Sequence, residues 1–262
     1  MASRAKIKTK WSAVQTVYQE LKRQILTFEL LPGSALEERQ VLRNLGLSRT
    51  PFREACMRLQ EEGWLLAFSR RGFLVAPITF EDIAHLYDLR LILESACAQI
   101  AAVRANDPDI GRMETMIQTE EGCGAPEGIS ADLVKMNFEF HMFLAELTRN
   151  TRLINIVRNI LEHVTRFDSM LTRYAPSTAW VKHRTLVESI RDRDPMRAGR
   201  SMQEHIEQAR LRILSAFAGQ SLKLNLPTLE DKTAFGLPDR RTLGRLGREK
   251  KTRHPSLARS QP

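Results

Sequence analysis

The sequence predicts a mainly α-helical protein with an N-terminal winged helix-turn-helix and a C-terminal antiparallel α-helical bundle of about six helices. Three observations lead to this fold class. Residues 36–66 contain two short helical patterns joined by a glycine turn, two short apolar runs follow, and residues 78–220 repeat apolar side chains at helical spacing. A chain of 262 residues has room for two domains with separate cores.

The helix-turn-helix is predicted from the residues within 36–66 that mark where helices begin and end. The first helical pattern runs from Glu37 to Leu45 and stops at Gly46. Ser48 or Thr50 can cap the second helix, and Pro51 suits its first turn, where a missing N–H costs no hydrogen bond. Four apolar residues of the second helix share one face: Phe52, Ala55, Cys56 and Leu59.

A β-hairpin wing is predicted after the second helix, which ends at Gly63. The apolar runs 64–68 and 72–76 flank a basic turn that contains glycine, as hairpin strands do. In a winged helix the second helix enters the DNA major groove with its N-terminal end first. An ordinary helical hairpin with a basic surface is the alternative interpretation.

The positive charge of the chain is concentrated at its two ends. The net charge is +9: residues 1–77 hold 13 Lys/Arg against 7 Asp/Glu, residues 78–220 hold 17 against 20, and residues 221–262 hold 10 against 4. A basic N-terminal domain gains salt-dependent affinity for DNA phosphates. The mildly acidic middle is not expected to touch DNA.

The cellular setting follows from composition. No stretch approaches the roughly 18 apolar residues of a membrane span, and the basic N-terminus lacks the apolar segment of a signal peptide. We therefore expect a cytoplasmic protein without a membrane partner. The three cysteines, Cys56, Cys97 and Cys123, form no C-x-x-C pair, which indicates free thiols.

The N-terminal motifs resemble those of GntR-family bacterial transcription regulators over residues 11–77. The matching motifs are Pro32-Gly33-x-x-Leu36, Leu45-Gly46-Leu47-Ser48-Arg49-Thr50-Pro51-Phe52-Arg53-Glu54-Ala55, Leu59-x-x-Glu62-Gly63 and Arg71-Gly72-Phe73-x-Val75. Leu42 departs from the alanine that is common in the family. The resemblance implies a set of DNA-contacting residues: Arg39, Ser48, Arg49, Thr50, Arg53, Arg70, Arg71 and Gly72.

The remaining boundaries follow from helical periodicity and its breaks. Residues 1–10 are expected to be a flexible basic arm, a first helix to begin near Val14, and Thr79 to cap the first bundle helix. The bundle helices are predicted at 80–107, 108–121, 132–148, 151–173, 178–193 and 194–220. Residues 221–262 lack periodicity and are expected to be a disordered basic tail.

A metal site is a candidate function of the bundle. Asn137 and His141 share one face of their helix, because they are four residues apart. His183 is in phase with the apolar face of the 178–193 helix, and His205 lies beside that of the last helix. A divalent ion would satisfy three buried imidazoles together. Three separate core histidines with local hydrogen bonds are the alternative, and His163 is not excluded from the set.

The motifs around these residues resemble the FCD domain, the effector domain of FadR-type GntR regulators, over roughly residues 80–218. They are Asn137-Phe-Glu-Phe-His141, His183-x-x-Leu186-x-x-x-Ile190-x-x-x-Asp194 and Ala198-x-x-x-Met202-x-x-His205. The resemblance implies a divalent metal, zinc or nickel, on the three histidines beneath a small carboxylate effector. Asn137 replaces the usual Asp, and an amide oxygen is a weaker ligand.

Arg90 and Glu94 match an Arg–Glu pattern that recurs in such domains. Arg90 could hold the carboxylate of the effector with two hydrogen bonds. A plain ion pair along the helix, or a contact between domains, is the alternative.

Together these features predict a cytoplasmic bacterial transcription regulator, a repressor, that binds a palindromic DNA operator as a homodimer and responds to a small organic acid. Arg49 and Arg53 would read base edges or adjacent phosphates. Two other interpretations remain at this point. One is a metal-dependent enzyme that uses the three histidines, although the sequence offers no convincing general base. The other is a metal-stabilised DNA-binding protein without an effector.

Overall fold

The structure is a computed structural model that describes residues 2–68, 72–122, 129–176 and 180–224. Its elements follow in chain order: α1 Ala2–Leu26, α2 Glu38–Leu45, α3 Arg49–Glu61, β1 Leu65–Phe68, β2 Gly72–Val75, α4 Phe80–Arg104, α5 Asp107–Gly122, α6 Ala131–Leu147, α7 Thr151–Tyr174, α8 Arg184–Arg191 and α9 Pro195–Leu224. The chain is therefore mainly helical, and the predicted fold class is confirmed.

The helix-turn-helix and wing form as the motifs predict. Gly46 ends α2 with a φ of 63°, a left-handed conformation that glycine adopts without strain. Ser48 is the extended N-cap of α3, and β1 pairs antiparallel with β2 from Leu65 opposite Val75 to Phe68 opposite Gly72. Leu42 packs, partly buried, against a core whose centre is formed by α1, α3 and the hairpin: Val17, Leu21, Ile25, Ala55, Cys56, Leu59, Trp64, Leu65 and Val75.

The first helix is longer than the sequence pattern indicates. Residues 2–10 of the predicted arm are helical, because α1 begins at Ala2. No glycine or proline interrupts residues 2–31, and alanine, lysine and arginine favour helix. At the other end α9 continues to Leu224 rather than Gln220. The rest of the predicted tail, residues 225–262, lies outside the described residues.

The second domain contains six helices, α4 to α9, in its described residues. The α4 helix packs most extensively along α9, while α6 packs along α7. Side-chain caps fix three starts: Thr79 accepts from the Asp82 backbone N–H as predicted, Ser130 caps α6 and Asn150 caps α7. No helix among the described residues is both long and apolar enough to cross a membrane.

The helix predicted at 178–193 is wrong in its first half. The described helix begins at Arg184, with His183 as its N-cap, and residues 180–182 are not helical. The physical reason lies on α5. The carboxylate of Glu120 accepts hydrogen bonds from the Trp180 indole at 2.6 Å and from the His183 backbone N–H at 3.3 Å. These bonds hold the segment away from helical geometry.

The winged helix docks on α7 through a stacked pair of aromatic rings. The rings of Trp64 and His163 lie 3.9 Å apart at an angle of 9°. His163 Nε2 is 2.9 Å from the carbonyl oxygen of Glu62 and therefore donates to it. His163 thus has its own partners at the domain contact, which answers whether it belongs with the other histidines. Burial lowers the pKa of His163 from 6.5 to about 4.

This stack makes folding sensitive to acid, because the unfolded chain protonates His163 at a higher pH than the folded chain does. The contribution of the neutral His163 ring to the free energy of unfolding is present above pH 6.5. As the pH falls toward 4 this contribution is lost, and the free energy of unfolding decreases by about 3 kcal/mol. We expect His163→Phe, which keeps a stacked ring without the titrating group, to flatten this part of the stability curve. Chemical denaturation of both proteins from pH 7 to 4 measures the difference. Parallel curves would contradict a neutral His163 in the folded state.

Candidate metal centre and DNA-reading surface

Three histidines from three parts of the bundle meet in its interior. His141 lies on α6, His183 precedes α8 and His205 lies on α9. Each is at most 6% exposed, and one nitrogen from each ring lies within 4.8 Å of the others. The structure therefore brings together the three histidines that the sequence singled out, and among the described residues they form the one His/Cys/Asp/Glu cluster suited to a metal.

Carboxylates hold two of these rings from behind. His183 Nδ1 lies 2.8 Å from Glu120 Oε1, and His141 Nδ1 contacts Glu94 Oε2. Because a carboxylate accepts, each Nδ1 carries the proton and each Nε2 is left with its lone pair. The two Nε2 atoms face each other at 3.3 Å. A cation between them removes this repulsion, and carboxylate–histidine pairs of this kind are usual around metal ions.

The electrostatics favour a metal ion over extra protons. Burial lowers the pKa of His141 below 6.5, and burial lowers that of His205 well below it. Burial alone would raise the pKa of Glu94, but Arg90 and His141 hold it at about 2. Burial alone would also raise the pKa of Glu120, but its contacts with His183 and its hydrogen bond from Trp180 together hold that pKa below its ordinary value. The rings of His141 and His205 are therefore neutral near pH 7 and both carboxylates are charged, which is the state that metal ligation requires.

The spacing of the nitrogens fits a tetrahedral ion. Two nitrogens bound at about 2.0–2.1 Å in tetrahedral geometry lie about 3.3–3.4 Å apart, and the two Nε2 atoms are 3.3 Å apart. His205 Nδ1 is buried without a hydrogen-bond partner in the described part of the chain, which suits a third ligand. Asn137 is also buried and lines the same small cavity as His205. Its role as a ligand remains a prediction.

Arg90 lies at this cavity with an unused donor. It is 1% exposed, and its Nε donates to Glu94 Oε1 at 2.6 Å. The plain ion pair that the sequence allowed is therefore present. However, Arg90 Nη2 is buried without a partner among the described residues, and Arg90 lines a small cavity of about 10 Å³ with His205. An anion beside the histidines would satisfy that donor.

We expect Glu120→Gln to weaken metal binding by roughly 10–100-fold, as the loss of such outer partners does. The amide keeps the size of the side chain but removes the negative charge that polarises His183. Titration of the metal-loaded protein with a competing chelator measures the affinity. Glu121→Gln is the matched control, because its carboxylate is half-buried, pairs with Arg184 and does not contact the histidines. Equal affinities in the two variants would contradict the role of Glu120.

The predicted DNA-reading residues form an exposed surface at the start of α3. Arg49, Thr50 and Arg53 are all exposed, while Pro51 and Phe52 point into the core. Arg49 Nε lies 3.1 Å from Glu38 Oε1 of α2. This ion pair orients the guanidinium of Arg49. A surface recess of about 380 Å³ is lined by Glu37, Glu38, Arg39, Arg49 and Arg53.

The remaining predicted contacts divide between described and undescribed residues. Ser48 and Arg39 are exposed near this surface, and Gly72 begins β2. Arg70 and Arg71 lie outside the described residues. The structure also adds two exposed residues that the sequence analysis missed, Met57 and Gln60. Their spacing of four and seven residues from Arg53 places them on its face of α3, and that helical phase could have revealed them.

Comparison with known proteins decides the family. The model of the bacterial regulatory proteins of the gntR family matches residues 13–75, and the FCD domain model matches residues 85–208. Together they match well over half of the chain. The chain belongs to the GntR family of bacterial transcription regulators, with an FCD domain.

The relatives that this GntR regulator matches over most of their length are transcription regulators. It is 27% identical to the Nta operon transcriptional regulator of Aminobacter aminovorans, over 74% of this chain and 91% of that protein. It is 25% identical to the HTH-type transcriptional regulator YdhC of Bacillus subtilis, over 72% and 85%. The repressor RspR of Escherichia coli is 23% identical over 74% and 86%. These names are those of regulators, not enzymes.

Solved structures show the same fold. McbR/YncC of E. coli superposes with a TM-score of 0.64 at 16% identity, covering 78% of this chain and 98% of that one. Lar, which controls the expression of the Listeria monocytogenes agr system, gives a TM-score of 0.51 at 17% identity, covering 77% and 96%. The GntR regulator thus combines the winged helix and helical domain of its family with the histidine cluster described above.

Proposed function

We propose that this regulator is a cytoplasmic repressor that binds a palindromic operator as a homodimer. In this proposal a divalent ion, zinc or nickel, sits on His141, His183 and His205, and a small carboxylate effector binds beside it. When bound, the ion supplies a positive charge that attracts the carboxylate. The effector changes the affinity for DNA.

The DNA-binding part of the proposal is supported by the exposed N-terminal end of α3. A major groove admits an α-helix, and arginine pairs with guanine through two hydrogen bonds. Arg53 is exposed on that end of the helix, and the buried Phe52 and Ala55 anchor the opposite face. In this proposal the exposed Thr50 and Arg39 contact phosphates, and such contacts fix the register of the helix on the duplex.

The metal and effector part of the proposal is supported mainly by the Nε2 atoms of His141 and His183, which face each other at 3.3 Å. Two nitrogen lone pairs that face each other repel, and a cation bound between them would remove that repulsion. The unused Nη2 of Arg90 then provides a second attachment point for an anion at the same place. A metal-dependent enzyme would need a general base at this point, and Glu139, the acidic residue nearest to His141 on α6, is exposed.

The α7 helix connects the two halves. Beyond the Trp64–His163 stack, Glu162 pairs with Lys22 of α1 at 2.7 Å, and Arg166 donates to the carbonyl oxygen of Ala76 at 2.6 Å. Two residues after Arg166, Asp168 lines the cavity beside His205. A ligand that moves α7 at Asp168 therefore acts on the docking of the winged helix. Such coupling between sites is typically worth about 1–3 kcal/mol.

A dimer supplies the symmetry that a palindrome requires. The α4 helix offers a face for it, because Leu89, Ile92 and Val103 are exposed apolar residues whose spacings of three and eleven residues place them on one side of the helix. Apolar faces of this kind are typical of interfaces between subunits.

Selection of DNA from a random library by the full chain tests this proposal. We expect enriched sequences to be inverted repeats with half-sites about one helical turn, roughly 10 base pairs, apart or a multiple of it. The mass of the complex should correspond to two chains per site. Enrichment of a single unrepeated half-site, with one chain bound, would contradict the dimeric proposal.

A further inference from the structure

We infer that Glu37 is a specificity-determining residue of the DNA-reading surface, where its carboxylate accepts a hydrogen bond from the amino group of a cytosine. The inference rests on the proposed function, since it concerns the surface at the start of α3. Glu37 is the N-cap residue of α2, and the sequence motifs gave it no part in DNA contact. It lines the surface recess of about 380 Å³ together with Glu38, Arg39, Arg49 and Arg53.

The two carboxylates of this recess differ in what they already bind. A surface that binds phosphates is basic, so a carboxylate there lowers the affinity for DNA unless a hydrogen-bond donor meets it. Glu38 has such a donor, because its Oε1 lies 3.1 Å from Arg49 Nε. The side chain of Glu37 is exposed, makes no capping hydrogen bond and has no ion-pair partner among the described residues. Glu37 is therefore the carboxylate of the recess that can accept from DNA.

The base edges of the major groove offer few partners for a carboxylate. Cytosine presents its N4 amino group there, and a carboxylate only accepts, so the two are complementary. Guanine and thymine present acceptors at this edge, which repel a carboxylate. Adenine places an acceptor, N7, beside its N6 donor and is therefore better matched by an amide than by a carboxylate. Cytosine is the base that Glu37 selects, beside the guanine edges that suit the arginines of the recess.

A purely structural role at the start of α2 is the alternative, and it predicts a different result. A carboxylate at the N-terminus of a helix stabilises that helix through the positive end of its dipole. Serine at an N-cap also stabilises a helix, because its hydroxyl accepts from a backbone N–H of the first turn. The change Glu37→Ser therefore removes the carboxylate while it leaves a good cap, and separates base reading from helix stability.

The test selects DNA from a random library with the full chain and with two variants, and compares the base preferences at each position of the half-site. We expect the wild type to prefer cytosine at one position by roughly fivefold or more over the other bases. In Glu37→Ser this preference should disappear while the other positions keep theirs. In Glu37→Gln it should shift to adenine, because an amide accepts from N6 and donates to N7.

Glu61→Ser is the matched control, since it removes the same charge from the other end of α3. Glu61 is exposed and does not line the recess, so this variant should keep the cytosine preference even if its affinity for phosphates rises. If both variants of Glu37 select the same half-site as the wild type, the inference is wrong and the proposed operator binding remains. If the wild type selects no sequence at all, both the inference and the proposed operator fail.

Discussion

Replacement of Arg53 by alanine is expected to abolish specific operator binding while the protein stays folded. Arg53 is exposed on the first turns of α3, so its loss should change stability by no more than about 0.5 kcal/mol. A bidentate arginine–guanine contact is worth roughly 1–3 kcal/mol, and a dimer loses it in both half-sites. We therefore expect affinity to fall by about 30-fold to 10⁴-fold, measured by fluorescence anisotropy on an operator selected with the wild type.

The matched control for this change is Arg58→Ala on the same helix. Arg58 lies over the Tyr18 ring, 4.6 Å from its centroid, and donates to Gln15, so it faces α1 rather than DNA. Its loss should leave specificity unchanged and affect only the packing of α1 on α3. Operator binding that survives Arg53→Ala at wild-type strength would show that α3 does not read the operator through this residue.

Loss of His205 is expected to remove metal binding almost entirely. In His205→Ala one of three nitrogen ligands is absent, so the loss of affinity should exceed the roughly 10–100-fold that outer partners contribute. The wild type should gain about 4 kcal/mol of stability at a metal concentration 1,000 times the dissociation constant. We expect this gain to vanish in the variant, as measured by denaturation with and without zinc or nickel.

A buried histidine elsewhere in the chain separates a ligand from a merely structural ring. His163 is buried like His205 but stacks on Trp64 at the domain contact. The His163→Phe variant should keep the full stabilisation by metal, whatever its stability without metal. If His205→Ala still responds to metal as the wild type does, the three histidines are separate core residues, which is the alternative that the sequence left open.

The winged helix was predictable because its signals are local. Gly46 and Ser48 lie within a few residues of the helix ends that they mark. Gly46 ends α2 as predicted, and Ser48 occupies the N-cap position of α3, although its side chain makes no capping hydrogen bond. The histidine cluster was predictable in membership, since each ring lies near the apolar stripe of its segment. The start of α8 was not predictable. The helical spacing of Leu186 and Ile190 extends back to His183, so the sequence pattern predicts a longer helix. In the structure the carboxylate of Glu120, 63 residues away, bonds to His183 and holds that segment outside the helix.

The partners of the histidines were beyond the reach of sequence patterns for the same reason. In the sequence, Glu120 was recognisable only as a residue near a predicted helix end, and Asp168 and Arg212 belonged to no motif. They meet because α7 and α9 pack side by side. Glu94 was noted as the neighbour of Arg90, but its contact with His141 depends on the packing of α4 against α6. Periodicity identifies the buried side of a helix, but not which residue it faces.

The most direct test of the account is the affinity of the full chain for its selected operator, measured by anisotropy with metal present while acetate, as the simplest carboxylate, is added. Coupling between the effector site and the DNA-reading helix predicts a change of about 5- to 150-fold in the dissociation constant, and no change in the His205→Ala variant. An operator affinity that stays constant while calorimetry shows the acid bound to the wild type would contradict regulation through this site.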